Sequence, residues 1–595
     1  MTDTILTEPA STGARWSLLQ FSLVCCYTVG IHGTTSLPHF SFIYTEMFLI
    51  AYYVLLILIC IPVCYVQIKL GAIYRRGIVG IFSHLIPILK GSAVAILLMT
   101  YIRSLVNGLE LSYSLYYMFA AFKNDSLGLR NTDPNYASIH FHQGFLQRSQ
   151  HIGQGGHVVW YIALCLLATW MVTYLMTFKG FQGLGKIVYG LTPVCLVLAF
   201  VVFMYAFIAV GPPDEYTPPE FREYRVVPSK NNKSDVIEEV VPRETRTRTL
   251  SDLAQPKPWV SALLIHMGSV GLWAGILPSM GAQLYNSKKV INASWIILLA
   301  IYGTLPVLLM LAFGQFFQAD SNSGFIAVAN GVKPGLSHLL VGMYGKLRHL
   351  PFVAFSVYLI SFLFGIVHQA VHLVTIWETL LPVIPLQVMR IVRRRECLVA
   401  IACTVSFIVS LPFASQAGIF IYMVVNSYVD RLIFVVIIIS MVPFITGYIK
   451  QECLYLPIER ACMSLWYGLS SLVPSAMLIY YCAVYVYPFP VVGYDQREAE
   501  MVGWFIAASP IILGLIFGAV HAVFNEKGTL RQRCLQAIKT DSLRTTDSTN
   551  DYDISETTNT GLHPSKPASH TNTLEKTETE VVMKAPDNNT DVAKI

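Results

Sequence analysis

The first long apolar segment of the chain is interrupted by the stretch Tyr27-Thr28-Val29-Gly30-Ile31-His32-Gly33-Thr34-Thr35-Ser36-Leu37-Pro38-His39. Glycine, proline and polar residues are costly in the middle of a membrane-spanning helix, because the backbone there must satisfy its own hydrogen bonds. Such a break is tolerated where the helix unwinds beside a cavity. The stretch therefore predicts an unwound helix that lines an internal cavity.

The composition around this stretch is that of a polytopic membrane protein. The chain has 595 residues, of which 54% are hydrophobic and 13% charged. Apolar stretches of about 20 residues recur along it and predict roughly twelve transmembrane helices. They lie near residues 17–40, 46–70, 87–122, 158–178, 184–211, 257–285, 293–318, 347–381, 397–415, 418–449, 464–488 and 502–524.

The basic residues predict the orientation of these helices. They form clusters that all fall on one side of the predicted membrane, which the positive-inside rule identifies as cytoplasmic, together with both termini. The net charge of +6 follows from these clusters, and we expect a lipid bilayer rather than a nucleic acid as the partner. The cluster residues are Arg75, Arg76, Lys288, Lys289, Arg390, Arg393, Arg394, Arg395, Lys527, Arg531 and Arg533.

Three regions follow from this reading. Residues 1–14 form a cytoplasmic N-terminal tail, residues 15–535 the twelve-helix domain, and residues 536–595 a disordered cytoplasmic tail that offers a surface to cytoplasmic partners. Two long extracellular loops, 123–157 and 212–258, carry the sequons of Asn124 and Asn232, which we expect to be glycosylated. We find no P-loop, no metal-ligand spacing and no catalytic constellation, so an enzyme is not expected.

Several motifs together resemble the sodium-coupled neurotransmitter and amino-acid symporter family, whose bacterial member LeuT gives the fold its name. Their order and spacing carry the resemblance over about residues 15–535. The motifs are Ile61-Pro62-Val63-Cys64-Tyr65, Lys90 to Tyr117, Lys179-Gly180 with Gly185 to Tyr189, Gly365 to Pro385, Ser415 to Ile419, and Gly528 to Arg531.

The resemblance implies an all-α, LeuT-like fold with a 5+5 inverted repeat and unwound first and sixth helices, where substrate binds. The sixth segment has its own break at Gly268-Ser269-Val270-Gly271, followed by Gly275. The backbone of Gly30, Gly268, Ser269 and Gly271 would contact the substrate.

The family's ion-binding residues are replaced in this chain. Gly33 stands where the family has a sodium-binding Asn, and Val367-His368 replaces the Asp-Ser pair of the second sodium site. Of the chloride positions, Tyr52 and Ser269 survive. Sodium needs oxygen ligands, which Gly, Val and His side chains do not supply, so conventional sodium and chloride binding is not expected. No other cofactor is expected.

The residues of the family's gates are also replaced. Ser36 and Asn426 stand at the two positions of the outer-gate ion pair, and Pro382 stands at the inner-gate Asp. Gly30 stands where monoamine carriers have an Asp, which argues against a monoamine substrate.

His368 is the candidate for an alternative coupling group. An imidazolium there would stand in for the missing cation and titrate near neutral pH, so proton coupling or constitutive exchange would replace sodium coupling. His32, in the first break, is the second coupling candidate. The alternative is that His368 is a neutral, hydrogen-bonded core residue. His372 lies one turn away, but no metal site is expected without nearby Cys or carboxylates.

Arg103 is the second unusual residue, and Asn107 one turn further replaces the family's pocket Tyr. Either Arg103 captures a carboxylate or other anion, or it forms a structural ion pair with Glu110 on the same helical face. We expect a pocket that is roomier and more polar than that of a monoamine carrier. Asp430 is expected near the outer surface.

Two functions remain open from sequence. The first is a plasma-membrane secondary transporter of a small organic solute, an amino acid or a related zwitterion or anion, with atypical coupling. The second is a transport-silent member of the family that acts as a membrane sensor, receptor or regulatory partner.

Overall fold

A computed structural model provides the architecture, and the residues it describes belong to one unit, Met1–Asp541. The described residues are 22–24, 26–30, 32–37, 40, 47–122, 140–149, 152–209, 222–228, 236–242, 253–272, 274–283, 305–308, 351–380, 395–449, 457–483, 496–524 and 528–538. The predicted helix near 293–318 falls almost entirely outside these residues, as do the tails and both predicted glycosylation sites, Asn124 and Asn232.

Helices account for nearly all of the described chain. They are α1 (26–30), α2 (Met47–Leu55), α3 (Ile61–Tyr74), α4 (Ile78–Leu85), α5 (Lys90–Ala120), α6 (Trp160–Thr177), α7 (Gly180–Ala209), α8 (Pro256–Val270), α9 (Ile276–Ala282), α10 (Pro351–Leu380), α11 (Arg395–Ser410), α12 (Gly418–Ile449), α13 (Pro457–Ala483), α14 (Gln496–Phe524) and α15 (Leu530–Ile538). Short π-helical turns occur at His32–Ser36, Leu56–Cys60 and His140–Phe145.

Eight of the described helical stretches are long and apolar enough to cross a membrane. They are Phe48–Tyr74, Pro87–Ala120, Trp160–Thr177, Gly180–Tyr205, Pro351–Leu380, Glu396–Ala414, Gly418–Ile449 and Ala499–His521. Helices dominate because lipid offers no partner for a free backbone group. The predicted class, an all-α polytopic membrane protein, is confirmed.

Helix α5 runs through the centre of the protein. It packs against α10, α14, α6 and α12, and its contact with α14 is close enough that a β-carbon at Gly91 would overlap the carbonyl oxygen of Gly514. Small residues let helix backbones approach in this way when no water drives their association. This central position gives the polar residues of α5 access to several neighbouring helices.

Helices α3 and α9 are joined by glycine contacts in both directions. A β-carbon at Gly71 would overlap the carbonyl oxygen of Pro278, and one at Gly281 would overlap the carbonyl oxygen of Ile68. The two backbones therefore touch at both places, so that α9 is held tightly along α3.

The first long loop is anchored to the helices. Phe145 is buried against Tyr113 and Tyr116 of α5, with ring centroids 5.2 and 4.5 Å away. Further along the loop, Arg148 lies over the ring of Phe420, and burial there lowers the pKa of the guanidinium from its ordinary value. The described part of the loop, 140–149, thus packs against the end of α5 and the start of α12.

The second long loop contains an antiparallel β-hairpin, which the helix-based reading did not predict. Its strands, β1 (Arg222–Pro228) and β2 (Val236–Pro242), pair with Arg225 opposite Glu239. Both strands mix β-branched and charged residues, which suits a short pleated ribbon better than a helix. The hairpin is outside the apolar segments, so it leaves the membrane fold all-α.

Candidate functional site

The first predicted helix break is present. Gly30 ends α1 with φ +44°, a left-handed conformation that glycine adopts without strain. A π-helical turn, His32–Ser36, follows directly. Thr34 donates a hydrogen bond from Oγ1 to the carbonyl of Gly30 at 3.2 Å, which satisfies one of the backbone groups released by the break.

The second break interrupts the sixth segment as predicted. Helix α8 ends at Val270, Gly271 and Gly275 take φ values of +64° and +78°, and α9 begins at Ile276. The amide of Ala274 donates to the carbonyl of Gly271 at 3.0 Å. The first and sixth segments therefore both unwind, and both contribute residues to one cavity.

Four ring side chains, which we call the imidazole cluster, pack beside these breaks. They are Tyr27, His32, His368 and His372. The ring of His368 stacks on Tyr27 with centroids 4.8 Å apart and planes 10° apart, and its Nδ1 lies 3.2 Å from the Tyr27 carbonyl oxygen. His372 and His32 meet His368 edge-on at 4.4 and 5.9 Å. His368 is fully buried, as expected if it were a neutral, hydrogen-bonded core residue. Its ring also contacts two further imidazoles, those of His32 and His372.

The imidazole cluster occupies the space that the glycines leave open. A β-carbon at Gly30 would lie 2.7 Å from Nδ1 of His368, and one at Gly268 would lie 2.5 Å from Cδ2 of His32. A β-carbon at Gly271 would overlap the hydroxyl of Tyr27. The space beside Gly30 and Gly268 is therefore filled by imidazole rings and that beside Gly271 by the Tyr27 hydroxyl, while a pocket roomier than that of a monoamine carrier stays a prediction.

A polar cavity of about 60 Å³ lies next to the imidazole cluster, large enough for a few water molecules. Three of the predicted site residues line it, namely His32, Arg103 and Asn107. Gly30, Gly268, Ser269, Gly271 and His368 are not among its lining residues. The lining consists of His32, Ser36, Phe40, Arg103, Val106, Asn107, Glu110, Leu264, Ile265, Tyr422, Asn426 and Asp430.

Arg103 bridges from α5 to α12 across this cavity. Its Nη1 lies 2.8 Å from Oδ1 of Asn426 and 2.5 Å from Oδ1 of Asp430. Arg103 thus forms an ion pair with Asp430, and Asp430 is a buried cavity residue, with 11% of its side chain exposed. Asn426, which stands at one position of the family's outer-gate ion pair, accepts a hydrogen bond from Arg103.

Glu110 and Tyr422 form a second contact between the same helices. The hydroxyl of Tyr422 donates to Oε1 of Glu110. Sequence reasoning missed Tyr422 and the role of Asp430, although Tyr422, Asn426 and Asp430 follow one another at helical spacing. That spacing places the three on one face of α12, opposite the face of α5 that carries Arg103 and Glu110.

The family's sodium position at Gly33 has apolar surroundings. A β-carbon there would meet Cβ of Pro306 at 3.3 Å and Cγ1 of Val29 at 3.4 Å, and Val367 at the second sodium position is completely buried. Neither side chain carries an oxygen atom, so only backbone carbonyls could supply the ligands that a hard cation needs at these positions.

The two surviving chloride positions, Tyr52 and Ser269, have different surroundings. Tyr52 stacks on His266 with centroids 4.4 Å apart, and its carbonyl oxygen lies 2.9 Å from Nε2 of the same His. The hydroxyl of Ser269 is buried and has no hydrogen-bond partner within the described residues. The resemblance puts Ile265 and Leu298 at the two remaining chloride positions; Ile265 is apolar, and Leu298 lies outside the described residues.

Comparison with known proteins shows which family the chain is similar to. Residues 44–136 match the model of the Sodium:neurotransmitter symporter family, a stretch that includes α2 to α5. The chain is 25% identical over 351 residues to the sodium- and chloride-dependent transporter XTRP3B of Mus musculus, which covers 52% of this chain and 51% of the relative.

Two further relatives show the same level of similarity. The sodium-dependent neutral amino acid transporter B(0)AT1 of Rattus norvegicus is 27% identical over 203 residues, 31% of this chain and 32% of the relative. The sodium- and chloride-dependent taurine transporter of Rattus norvegicus is 22% identical over 419 residues, 64% of this chain and 62% of the relative. The chain spans about half the length of the first of these relatives, and all three are named as transporters, not enzymes.

Proposed function

We propose that the chain is a divergent member of the Sodium:neurotransmitter symporter family and a multi-pass secondary transporter of the plasma membrane. Its cargo is a small organic solute, an amino acid or a related zwitterion or anion, and it works by alternating access. The observation that carries this proposal is the pair of unwound segments beside one polar cavity. Broken helices of this kind serve substrate sites in secondary transporters.

The proposed substrate site includes the cavity residues Arg103 and Asn107. The backbone around Gly30 and Gly268 to Gly271 would reach the solute once the imidazole rings beside these glycines move. Both contacts from α5 to α12 would have to open for the solute to enter, because Arg103 and Glu110 reach across the cavity. The termini are proposed to be cytoplasmic, with Asn124 and Asn232 glycosylated outside.

The proposed coupling uses protons in place of sodium. His32 lines the cavity, meets His368 edge-on, and His368 in turn contacts His372. A series of imidazoles that starts at a polar cavity is a chemically reasonable path for a proton. Among the described residues, the titratable groups around His368 are Tyr27 on α1, His32 on the π-helical turn, His372 on its own helix and Arg103 on α5.

The experiment uses the purified full chain in vesicles that contain a pH-sensitive dye. A panel of amino acids is added outside, with sodium replaced by choline, at equal pH and across an imposed pH gradient. We expect solute-dependent acidification inside without sodium, and we expect His368→Gln to abolish it. The matched control is His84→Gln, which removes an imidazole beside Tyr74, outside the cavity lining. Uptake that requires sodium would contradict the coupling.

A second candidate function is a transport-silent sensor or receptor. It is favoured by the small size of the polar cavity and by the two contacts, Arg103 to Asp430 and Glu110 to Tyr422, that cross it. This alternative predicts that solutes stabilise the purified protein yet produce no flux in the vesicle experiment. Flux of any stabilising solute would reject it.

A further inference from the structure

We infer that Cys26 and Cys195 form a buried dithiol that a peroxide converts to a disulfide, and that this bond fastens the first half-helix, α1, to α7. Neither thiol belongs to the lining of the polar cavity or to the imidazole cluster. The site does not depend on which solute the protein carries, or on whether it carries one.

The two thiols come from different segments and are in contact. Cys26 lies in α1 and Cys195 in α7, and neither side chain is exposed. Sγ of Cys26 lies 3.4 Å from Oγ1 of Thr192, and the thiol of Cys195 is a further hydrogen-bond partner of Cys26. Thr192 and Cys195 are three residues apart, so they share the face of α7 that meets α1. The two sulfur atoms are therefore direct neighbours.

The hydrogen bonds of Thr192 determine the order of the protons in this group. Oγ1 of Thr192 donates to the carbonyl oxygen of Val188 at 2.7 Å, so its lone pairs face Cys26 and accept the proton of the Cys26 thiol. The lone pairs of the Cys26 sulfur then accept the thiol proton of Cys195. Thr192 is a positioning residue in this series, because it holds the Cys26 sulfur against Cys195.

The oxidation requires only the two thiols and hydrogen peroxide. One sulfur attacks an oxygen of the peroxide, which breaks the O–O bond and gives a sulfenic acid and one water molecule. The second sulfur attacks the sulfenic sulfur, forms the S–S bond and releases the second water molecule. The two thiol protons leave in the two water molecules, the sulfurs lose two electrons in total, and the peroxide is reduced. Hydrogen peroxide is small and uncharged, so it enters the bilayer without an aqueous channel.

The backbone on both sides permits the approach that a disulfide needs. A disulfide holds its sulfur atoms closer together than two hydrogen-bonded thiols, so α1 and α7 must move slightly towards each other. Pro193 lies inside α7 next to Thr192, and a proline removes one backbone hydrogen bond from a helix, so α7 yields most easily at this place. Helix α1 is short and ends at Gly30. A short half-helix and a proline-weakened helix therefore carry the two thiols.

The location of this pair gives the bond its consequence. Cys60 and Cys64 are also buried and influence each other, but they are four residues apart on one helical stretch, so a bond between them would fasten no second element. A bond at Cys26 connects the helix that leads into the first break to a different segment. Tyr27, the next residue, stacks on His368, so the bond also restrains the imidazole cluster from the side of α1.

The test uses the purified full chain in detergent, treated with hydrogen peroxide and digested with trypsin without reduction. Cleavage places Cys195 as the single cysteine of residues 187–222 and Cys26 within residues 16–69. We expect mass spectrometry to find these two peptides joined and dithiothreitol to release them, and we expect oxidation to raise the unfolding temperature. Absence of this link after oxidation, or a link from Cys195 to another peptide, would overturn the inference.

Variants identify the thiol pair and the role of Thr192. Cys26→Ala and Cys195→Ala should each abolish the link, and the matched control Cys403→Ala, which removes a buried thiol on α11, should leave it unchanged. A link that persists in Cys26→Ala would belong to another cysteine of residues 16–69 and would refute the pair. Thr192→Val should slow formation of the link several-fold, and Thr192→Ser, which keeps the hydroxyl, should restore the rate. Equal rates in these two variants would reject the positioning role.

The fastening of α1 has a readout of its own in the vesicle experiment. A solute that shows flux with the reduced protein should lose it after complete oxidation and regain it with dithiothreitol. Flux that persists in the fully linked protein would reject the fastening. Absence of flux before oxidation would reject the proposed transport and leave the disulfide, which is detected by mass, intact; the unfolding temperature of the linked protein then tests the fastening.

Discussion

Replacing Gly30 with Ala tests how the first break and the imidazole cluster depend on each other. An Ala at φ +44° would hold a left-handed conformation at a cost of about 1 kcal/mol. Its β-carbon would also lie 2.7 Å from Nδ1 of His368, and His368 is fixed between Tyr27 and His372. Overpacking of this kind costs about 1–3 kcal/mol, so the total loss of unfolding free energy should be about 2–4 kcal/mol.

The assay is thermal and denaturant unfolding of the full chain in detergent micelles. Gly190→Ala on α7 is the control, because its β-carbon would meet nothing within 4 Å in the described part of the chain, and Ala stabilises a helix by up to about 1 kcal/mol relative to Gly. Adding His368→Ala to Gly30→Ala should remove the free-energy cost of the overlap and leave only the cost of the left-handed conformation. A double-mutant cycle measures the overlap cost as the coupling energy between the two positions. Gly30→Ala as stable as Gly190→Ala would refute the reasoning.

Three more outcomes follow from the contacts, each measured by unfolding of the purified protein. Arg103→Met should lower the unfolding free energy by about 3–5 kcal/mol because it removes the cation from a buried ion pair with Asp430, and adding Asp430→Asn should restore much of the loss. Tyr27→Phe should be neutral or stabilise by about 1 kcal/mol, since the buried hydroxyl has no hydrogen-bond partner within the described residues; a clear loss would contradict this. Gly91→Ala should destabilise by about 1–3 kcal/mol through overlap with α14, whereas Gly468→Ala, whose β-carbon meets nothing among the described atoms, should not.

The helices and the two breaks could be predicted from sequence because both are local properties. Apolar length determines whether a segment crosses lipid, and glycines such as Gly30 and Gly271 mark where its backbone unwinds. The hairpin of the second long loop could not be predicted in this way, since hydropathy carries little information about two short paired strands outside the membrane.

The site was harder to predict because it depends on contacts between distant segments. Arg103 and Glu110 share a face of α5, so local spacing suggested an ion pair between them as one alternative, whereas sequence spacing could not indicate the ion pair of Arg103 with Asp430, 327 residues away. From sequence alone, a glycine also suggests that the space beside it is empty. At Gly268 that space is filled by His32, and only packing reveals it.

The reciprocal glycine contacts between α3 and α9 have a mechanical consequence. Because Gly71 touches the backbone of α9 and Gly281 touches the backbone of α3, neither helix can slide along the other without separating two tightly packed surfaces. The two helices should therefore move as one rigid body. A rotation of this body relative to α8 would require backbone dihedral changes between Gly271 and Gly275, so this short segment would act as the hinge of the sixth segment.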